Sequence, residues 1–399
     1  MDAGITPTGM LERWSHGTLA ALVMRWRGQR CSTIPIFQHP TLAAPQSRIP
    51  LQTDASAQRF LWLFSRRVDF WLASAGASAA LLAAMLVIFW HGDREIDAVD
   101  LVLSELHLGA TYHAVMQRRL WRRLPVDVLM VPLVILAITY AQSVSGQTVL
   151  LTTIAMYAAV WHRGRQSFGV GRFYQRAVGG PVSRMHECLF RGATYLPMAA
   201  SALAYMHLAP THYEGEPYFA PSISAEFVIV FGFAAALCVG TYLFYVLGRN
   251  LGAETASAQQ GQRIHPGEWW VILAHAVAFG SSYILGASNA AFLFVLAVHH
   301  EVQYLHFTYA VSRRRVFSRR RSVEVARAAS LRQSAEVQPA QPSEWRHAAA
   351  FSVWPVIGFI GMLAGGWLAL PWLAPLGTGG LFCHYWLDGR IWTRKSFQS

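Results

Sequence analysis

The sequence predicts an all-α fold, a bundle of about ten membrane-spanning helices with both chain termini in the cytoplasm. Composition is the first reason: of the 399 residues, 54% are hydrophobic and only 14% are charged, whereas soluble domains carry roughly 25% charged residues. The second reason is the presence of several windows of about 18 or more mostly apolar residues, each long enough to cross a bilayer core about 30 Å thick.

Ten apolar windows define the predicted spans, at residues 70–90, 98–116, 126–142, 148–162, 192–208, 225–247, 269–285, 289–311, 349–372 and 375–392. The short loops on one side of this arrangement carry 27 of the 33 Lys and Arg residues, and the loops on the other side carry only Arg94. Because positive charge keeps short loops on the cytoplasmic side, the bias sets the orientation. We expect an integral, multi-pass protein of a bacterial inner membrane, in contact with the lipid bilayer.

The loop charges also explain the formal net charge of +12, so nucleic acid is not predicted as a partner. Residues 1–58 are predicted to be a flexible cytoplasmic tail, 59–312 a transmembrane bundle of spans one to eight, and 313–346 a basic cytoplasmic linker. Residues 347–399 hold spans nine and ten with a short C-terminal tail. The four cysteines are too scattered to predict a disulfide framework or a zinc knuckle.

Histidines are concentrated near the cytoplasmic ends of spans two, four, eight and ten, which all run in the same direction. Seven of them are candidate metal ligands: His107, His113, His162, His299, His300, His306 and His384. Ionisable groups are costly at this depth and indicate a functional site. Imidazole nitrogen is a preferred ligand of Fe, Zn, Cu and Ni, and helical bundles build metal sites from side chains on separate helices.

Counting residues to the first cytoplasmic arginine predicts two layers of histidines, about one to two helical turns apart. The layer nearer the cytoplasm holds His113, His306 and His384. The deeper layer holds His107, His299 and His300. His162 and Asp388 are predicted to lie nearest the water. Since His299 and His306 are separated by roughly 10 Å along one helix, both layers together fit either two neighbouring metals or one metal and a histidine on the substrate side.

Other polar residues accompany these histidines. Three are candidates for catalysis, namely Tyr304, Tyr112 and Glu301, with the tyrosines orienting oxygen or donating a proton. Four are candidates for holding the cofactor, namely Gln303, Gln166, Arg165 and Asp388. Carboxylates beside histidines act either as ligands or as acceptors of an imidazole N–H, and Arg165 would place positive charge at the mouth of the site.

Three alternatives explain the same histidines. The first is a structural polar network that binds no ligand. A single histidine inside a span is more often a hydrogen-bonded interior residue than a metal ligand. A haem-binding electron carrier would use two histidines from two spans as axial ligands. A transporter would use the cluster as a proton or metal path, although carriers tend to place such sites near the bilayer midplane.

The segments His-His-Glu-Val-Gln-Tyr at 299–304 and His-Tyr-Trp-Leu-Asp-Gly-Arg-Ile-Trp at 384–392 resemble motifs of an uncharacterised bacterial multi-pass membrane family. The His-rich helices also resemble integral-membrane non-haem iron oxygenases, in the style of the desaturases and hydroxylases and of the Brp/Blh-type carotene dioxygenases. This resemblance implies that the histidines hold one or two Fe ions. The resemblance does not imply the substrate. From the residues we hypothesise an oxygenase or hydroxylase that acts on a lipid-soluble substrate, with an electron-transfer protein as a further candidate partner.

Overall fold

The structure is a computed structural model that describes residues 62–74, 93–178, 182–213, 216–255, 263–330, 353 and 374–391. All of them fall within one compact unit, residues 49–391. The described residues are mostly helical, which confirms the all-α prediction. The predicted tail at 1–58, most of the first span and the whole of the ninth except residue 353 lie outside the described residues.

The described part of the N-terminal half contains five helices. They are α1 (Arg66–Asp69), α2 (Asp93–Gln117), α3 (Leu120–Arg123), α4 (Val131–Val144) and α5 (Thr148–Ala177). A π-helical turn, Phe70–Ser74, continues α1, and another, Val126–Met130, leads into α4. Ser65 caps α1 by accepting a hydrogen bond from the backbone N–H of Val68, and the left-handed Arg119 (φ 53°) separates α2 from α3.

Five more helices and a small hairpin fall within the C-terminal residues that the structure describes. The helices are α6 (Arg184–Leu208), α7 (Ala225–Thr255), α8 (Pro266–Gly280), α9 (Leu293–Ser330) and α10 (Ala374–Ile391). Between α6 and α7, β1 (His212–Tyr213) pairs antiparallel with β2 (Glu216–Pro217). A π-helical turn, Ser281–Leu285, extends α8, and a 3-10 turn, Ala290–Phe292, precedes α9.

The helices are longer than the predicted spans. The fourth predicted span ends at residue 162, but α5 continues to Ala177, and α9 continues to Ser330, well into the predicted linker. Apolar windows mark only the part of a helix that is uniformly hydrophobic. In both cases arginines end the apolar window but favour helix as well as any apolar residue does, so charge alone does not end the helix.

Two described helices are long and apolar enough to cross a membrane, Val126–Val144 and Ala225–Gly252. Only 6% and 11% of their apolar windows are buried, and Phe233 and Phe244 are 72% and 78% exposed. The core helix of a soluble protein would instead be mostly buried. The other described helices carry the histidines and many of the arginines, which lower their mean hydropathy.

Four helices meet at the histidines. Helix α9 packs along α2 and contacts α5, and α10 packs against α2, α4 and α5. The approach of α5 to α6 is close at Gly164, where a Cβ would collide with the sulfur of Met198. A larger residue two positions after His162 would therefore force the side chain of Met198 to move.

Candidate metal centre

Four histidines from four helices converge in the interior. His107 lies on α2, His162 on α5, His300 on α9 and His384 on α10. Each offers one ring nitrogen, and these four atoms all lie within 4.8 Å of one another. The four side chains are buried, with between 1% and 9% of their surface exposed. This set, called here the four-histidine cluster, could hold a metal ion.

The rings pack directly on one another. Their centroids are 4.4 Å apart for His107 and His384, 4.6 Å for His107 and His300, and 4.9 Å for the pairs that His162 makes with His300 and with His384. The His107 and His162 centroids lie across the cluster at 6.3 Å. The closest nitrogens are the Nε2 atoms of His107 and His384, at 2.6 Å.

A polar group behind His384 fixes the orientation of its ring. The hydroxyl of Thr111 donates to Asp388 Oδ1 at 3.0 Å and lies 2.9 Å from His384 Nδ1. The same hydroxyl lies 2.8 Å from the Tyr304 hydroxyl. With its one proton donated to Asp388 or to Tyr304, Thr111 accepts from His384, and the imidazole proton is on Nδ1. The lone pair of His384 Nε2 then faces the cluster, as a metal ligand requires. This tautomer is assigned from the hydrogen-bond network.

Asp388 links this group to the rest of the cluster. Its Oδ1 accepts from the hydroxyl of Tyr304 at 2.5 Å, and the Tyr304 ring packs on His107 with centroids 4.1 Å apart. Its Oδ2 lies 3.7 Å from His162 Nε2 and 3.8 Å from His384 Nε2. The carboxylate therefore stands beside two of the imidazoles, where it would offset the charge of a bound cation.

Several nitrogens of the cluster have no hydrogen-bond partner among the described residues: His107 Nδ1, His162 Nε2 and His300 Nδ1. A buried polar atom without a partner costs roughly 1–3 kcal/mol. A network whose only role was to join the helices would pair these atoms with one another or with backbone. These nitrogens are therefore available to a ligand, and it is their convergence with the other rings, rather than the missing partner alone, that marks the cluster.

The distances suit one ion after a small adjustment. Metal–nitrogen bonds of about 2.0–2.1 Å in a tetrahedral site place ligand nitrogens about 3.3 Å apart. Binding would move the Nε2 atoms of His107 and His384 apart by about 0.7 Å on this geometry, and it would draw the more distant nitrogens inward. Rotation of the imidazoles about their side-chain bonds is enough for shifts of this size.

Buried amide and carboxyl groups hold the α9 segment in place. Gln166 donates to the backbone carbonyl of His300 at 2.7 Å and to Gln303 Oε1 at 3.2 Å, and Gln303 in turn donates to the carbonyl of Ala73 at 2.8 Å. Glu301 accepts from the hydroxyl of Ser104 at 2.5 Å. These predicted site residues therefore position the helices that carry His107 and His300.

The structure does not bring the other predicted ligands to the cluster. His113 lies 3.4 Å from the hydroxyl of Ser312. His299 is 1% exposed, and neither of its ring nitrogens has a hydrogen-bond partner among the described residues. The pairing of His384 with His107 also differs from the predicted layers, which had placed His384 with His113 and His306. The predicted layers came from counting residues to the first cytoplasmic arginine of each span. That count gives the depth of a side chain only if the helices are parallel and end at the same depth.

His306 belongs to a different polar group, centred on Asp69. The Asp69 carboxylate accepts from His306 Nε2 at 3.1 Å, from the Tyr174 hydroxyl at 2.9 Å, and from the backbone N–H groups of Leu63 and Phe64 at 2.6 and 3.0 Å. Burial alone would raise the pKa of Asp69, but the hydrogen bond from His306 and the other three lower it below its usual value.

Of two further predicted residues, one is exposed and the other packs on a tryptophan ring. Tyr112 is 40% exposed. Arg165 lies over the Trp161 ring, with its guanidinium carbon 5.7 Å from the ring centroid. The residue that sequence reasoning missed is Thr111, which is fully buried against His384 and Asp388. A signal for it existed, because Thr111 follows His107 by four residues and so shares its helix face.

No family model, no curated protein and no solved structure matches the chain. The resemblance to membrane iron oxygenases therefore stays a prediction, and the site itself supplies the argument for function.

Proposed function

We propose that the chain is a membrane-embedded metalloprotein whose four-histidine cluster binds one transition-metal ion. The observation that carries the proposal is the convergence of four buried imidazoles from four helices, with several nitrogens left without partners. Neutral imidazole favours Fe, Zn, Cu and Ni over Mg or Ca. One ion is proposed at the cluster, because His113, His299 and His306 lie outside it.

The proposed setting is a bundle of about ten spans in a bacterial inner membrane, with both termini in the cytoplasm. Two outward-facing apolar helices support membrane association. The distribution of Lys and Arg over the loops supports the additional spans and their orientation. Helices that carry buried histidines and carboxylates have lower mean hydropathy than lipid-facing ones, as expected for the interior helices of a bundle.

The activity we propose is that of a non-haem iron oxygenase or hydroxylase that acts on a lipid-soluble substrate. Bound iron would supply oxygen activation at positions that the histidines leave open. Within the chain, Thr111 and Asp388 orient His384, and Tyr304 presents a hydroxyl proton to Asp388 Oδ1. The apolar helices would admit a substrate from the bilayer, and an electron-transfer partner would dock on the cytoplasmic side.

The geometry favours non-haem metal over haem. Two axial histidines on a haem iron hold their nitrogens about 4 Å apart, twice a metal–nitrogen bond of about 2.0 Å, with the porphyrin between them. The Nε2 atoms of His107 and His384 are 2.6 Å apart, and all four rings pack edge to face. A porphyrin would have to separate rings that are in contact.

Elemental analysis of the purified protein tests the proposal. Protein extracted in detergent should hold about one equivalent of metal, identified as iron by its mass, without the intense Soret absorption of haem. His300→Ala should lose the metal, whereas His299→Ala, its buried neighbour on the same helix, should keep it. Metal near zero in the wild type, or equal loss in both variants, would refute the site. Zinc in place of iron would keep the site and refute the oxygenase.

A further inference from the structure

A second polar site lies where the ends of α5, α6, α7 and α8 meet, on the side that loop charge assigns to the cytoplasm. It is a cavity of about 420 Å³, a volume that includes space open to solvent. The lining residues used below are Gln175, Ser183, His186, Arg249, Arg263 and Glu268. Gln175 follows His162 by 13 residues on α5, or about 20 Å at 1.5 Å per residue, so the site is separate from the four-histidine cluster.

The carboxylate of Glu268, which lines this cavity, is only partly hydrogen-bonded. Glu268 is fully buried, and its Oε1 accepts from His186 at 2.5 Å and from the Tyr242 hydroxyl at 2.9 Å. Its Oε2 is buried and has no hydrogen-bond partner among the described residues. An orphaned carboxylate oxygen is more costly than a neutral atom. An N–H or O–H donor on a ligand would satisfy it.

The side-chain amide of Gln175, which lines the same cavity, is also only partly hydrogen-bonded. Gln175 is 4% exposed, and its Oε1 accepts from Arg172. That contact fixes which end of the amide is oxygen. Its Nε2 is buried and has no hydrogen-bond partner among the described residues. Two residues that line the cavity therefore each keep a buried polar atom without a partner among the described residues, a donor on Gln175 and an acceptor on Glu268. A ligand that carries both kinds of group would satisfy them.

Positive charge at the mouth indicates that the ligand's acceptor group is an anion. Arg249 and Arg263 both line the cavity. They are held close because the side-chain oxygen of Asn250, next to Arg249, accepts from the backbone N–H of Ile264, next to Arg263, at 2.8 Å. Helix α6 also begins here, capped by Ser183, and its N-terminus adds partial positive charge. Guanidinium groups bind phosphate oxygens well.

We infer that this cavity binds a phosphate ester that carries a primary ammonium, as phosphoethanolamine does. The phosphate would lie between Arg249, Arg263 and the amide of Gln175, and the ammonium would donate to Glu268 Oε2. Glu268 immediately precedes the predicted span 269–285, so the cavity lies at the depth of lipid headgroups in the proposed topology. The inference uses that membrane placement but does not depend on a metal.

Calorimetric titration of the detergent-purified protein tests the inference. Phosphoethanolamine should bind the wild type more tightly than inorganic phosphate does. The double variant Arg249→Ala/Arg263→Ala should bind both probes at least tenfold more weakly, since each lost guanidinium is a charge-assisted contact. Arg123→Ala, which removes an exposed arginine of α3 that does not line the cavity, should change neither. Equal binding in the wild type and the double variant would overturn the site.

Glu268→Gln isolates the ammonium contact. It keeps the shape of the side chain and removes its charge, so the preference for phosphoethanolamine over phosphate should disappear while phosphate binding remains. A preference that persists would overturn the role of Glu268.

Lipid nanodiscs distinguish the two sources of a phosphoethanolamine group, a membrane lipid and a soluble ligand. Enrichment of phosphatidylethanolamine over phosphatidylcholine, whose ammonium has no N–H, assigns a lipid; binding of free phosphoethanolamine without such enrichment assigns a soluble ligand. Failure to bind either form would refute the inference and leave the metal test untouched.

Discussion

His384 and His306 are both buried beside an aspartate, yet their surroundings differ. His306 donates to Asp69, and that carboxylate accepts three further hydrogen bonds, so the group is satisfied from within the chain. His384 keeps Asp388 at 3.8 Å and directs Nε2 toward other imidazoles. The difference teaches that burial and a nearby acid do not identify a metal ligand. What separates the two sites is the partner of Nε2, which is a carboxylate for His306 and another imidazole of the four-histidine cluster for His384.

The largest expected effect is on the stability of the Asp69 group. Asp69→Ala leaves four buried donors without an acceptor, so we expect the free energy of unfolding to fall by about 3–5 kcal/mol. Thermal denaturation in detergent measures this loss. The folded fraction should keep the metal-to-protein ratio of the wild type. A variant that lost metal but not stability would reverse the roles assigned to the two aspartates.

Asp388→Asn should act mainly on the metal. Removing the charge beside His162 and His384 should weaken metal binding by about 10- to 100-fold, the usual cost of losing a carboxylate next to the ligands. Competition with a chelator of known affinity measures the change, with Asp127→Asn, a partly exposed aspartate that pairs with Arg390, as the control. Unchanged affinity in Asp388→Asn would show that this carboxylate serves only the packing of the helices.

Thr111→Val should have a smaller effect on the same property. Valine has the shape of threonine but cannot accept the proton of His384 Nδ1, so the ring loses its fixed orientation, and we expect about tenfold weaker metal binding. Thr111→Ser keeps the hydroxyl and should restore most of the affinity in the same chelator competition. Equal weakening in both variants would point to loss of packing rather than of the hydrogen bond.

The smallest effect is the pH dependence of the Asp69 group. Its hydrogen bonds lower the pKa of Asp69 in the folded protein, so the ionised carboxylate stabilises the fold at neutral pH. That stabilisation is lost as the pH falls below about 4, the pKa of an unfolded aspartate, and through the lower folded value. The difference in Tm between the wild type and Asp69→Asn should therefore shrink in acid. A constant difference would assign the effect to shape alone.

The sequence predicted the helices and all four cluster histidines, because apolar windows and buried histidines are both visible along the chain. It also predicted Gln166 and Gln303 as hydrogen-bonding residues. It could not separate His300 from His299, because both are buried, adjacent positions differ by about 100° around a helix, and only the packing of α9 decides which one reaches the other three histidines. The contact between His306 and Asp69 joins residues 237 positions apart, and no periodic pattern encodes it.

Gly164 gives the cluster a vulnerability that none of its ligands shares. The hydrogen at this position lets α5 lie against Met198 of α6, and His162 is carried one half-turn earlier on the same rod. An alanine here would force the flexible side chain of Met198 to move, and any part of the strain that α5 absorbed would shift His162 with it. A glycine that belongs to no part of the cluster thus bears on how closely His162 approaches the other three histidines.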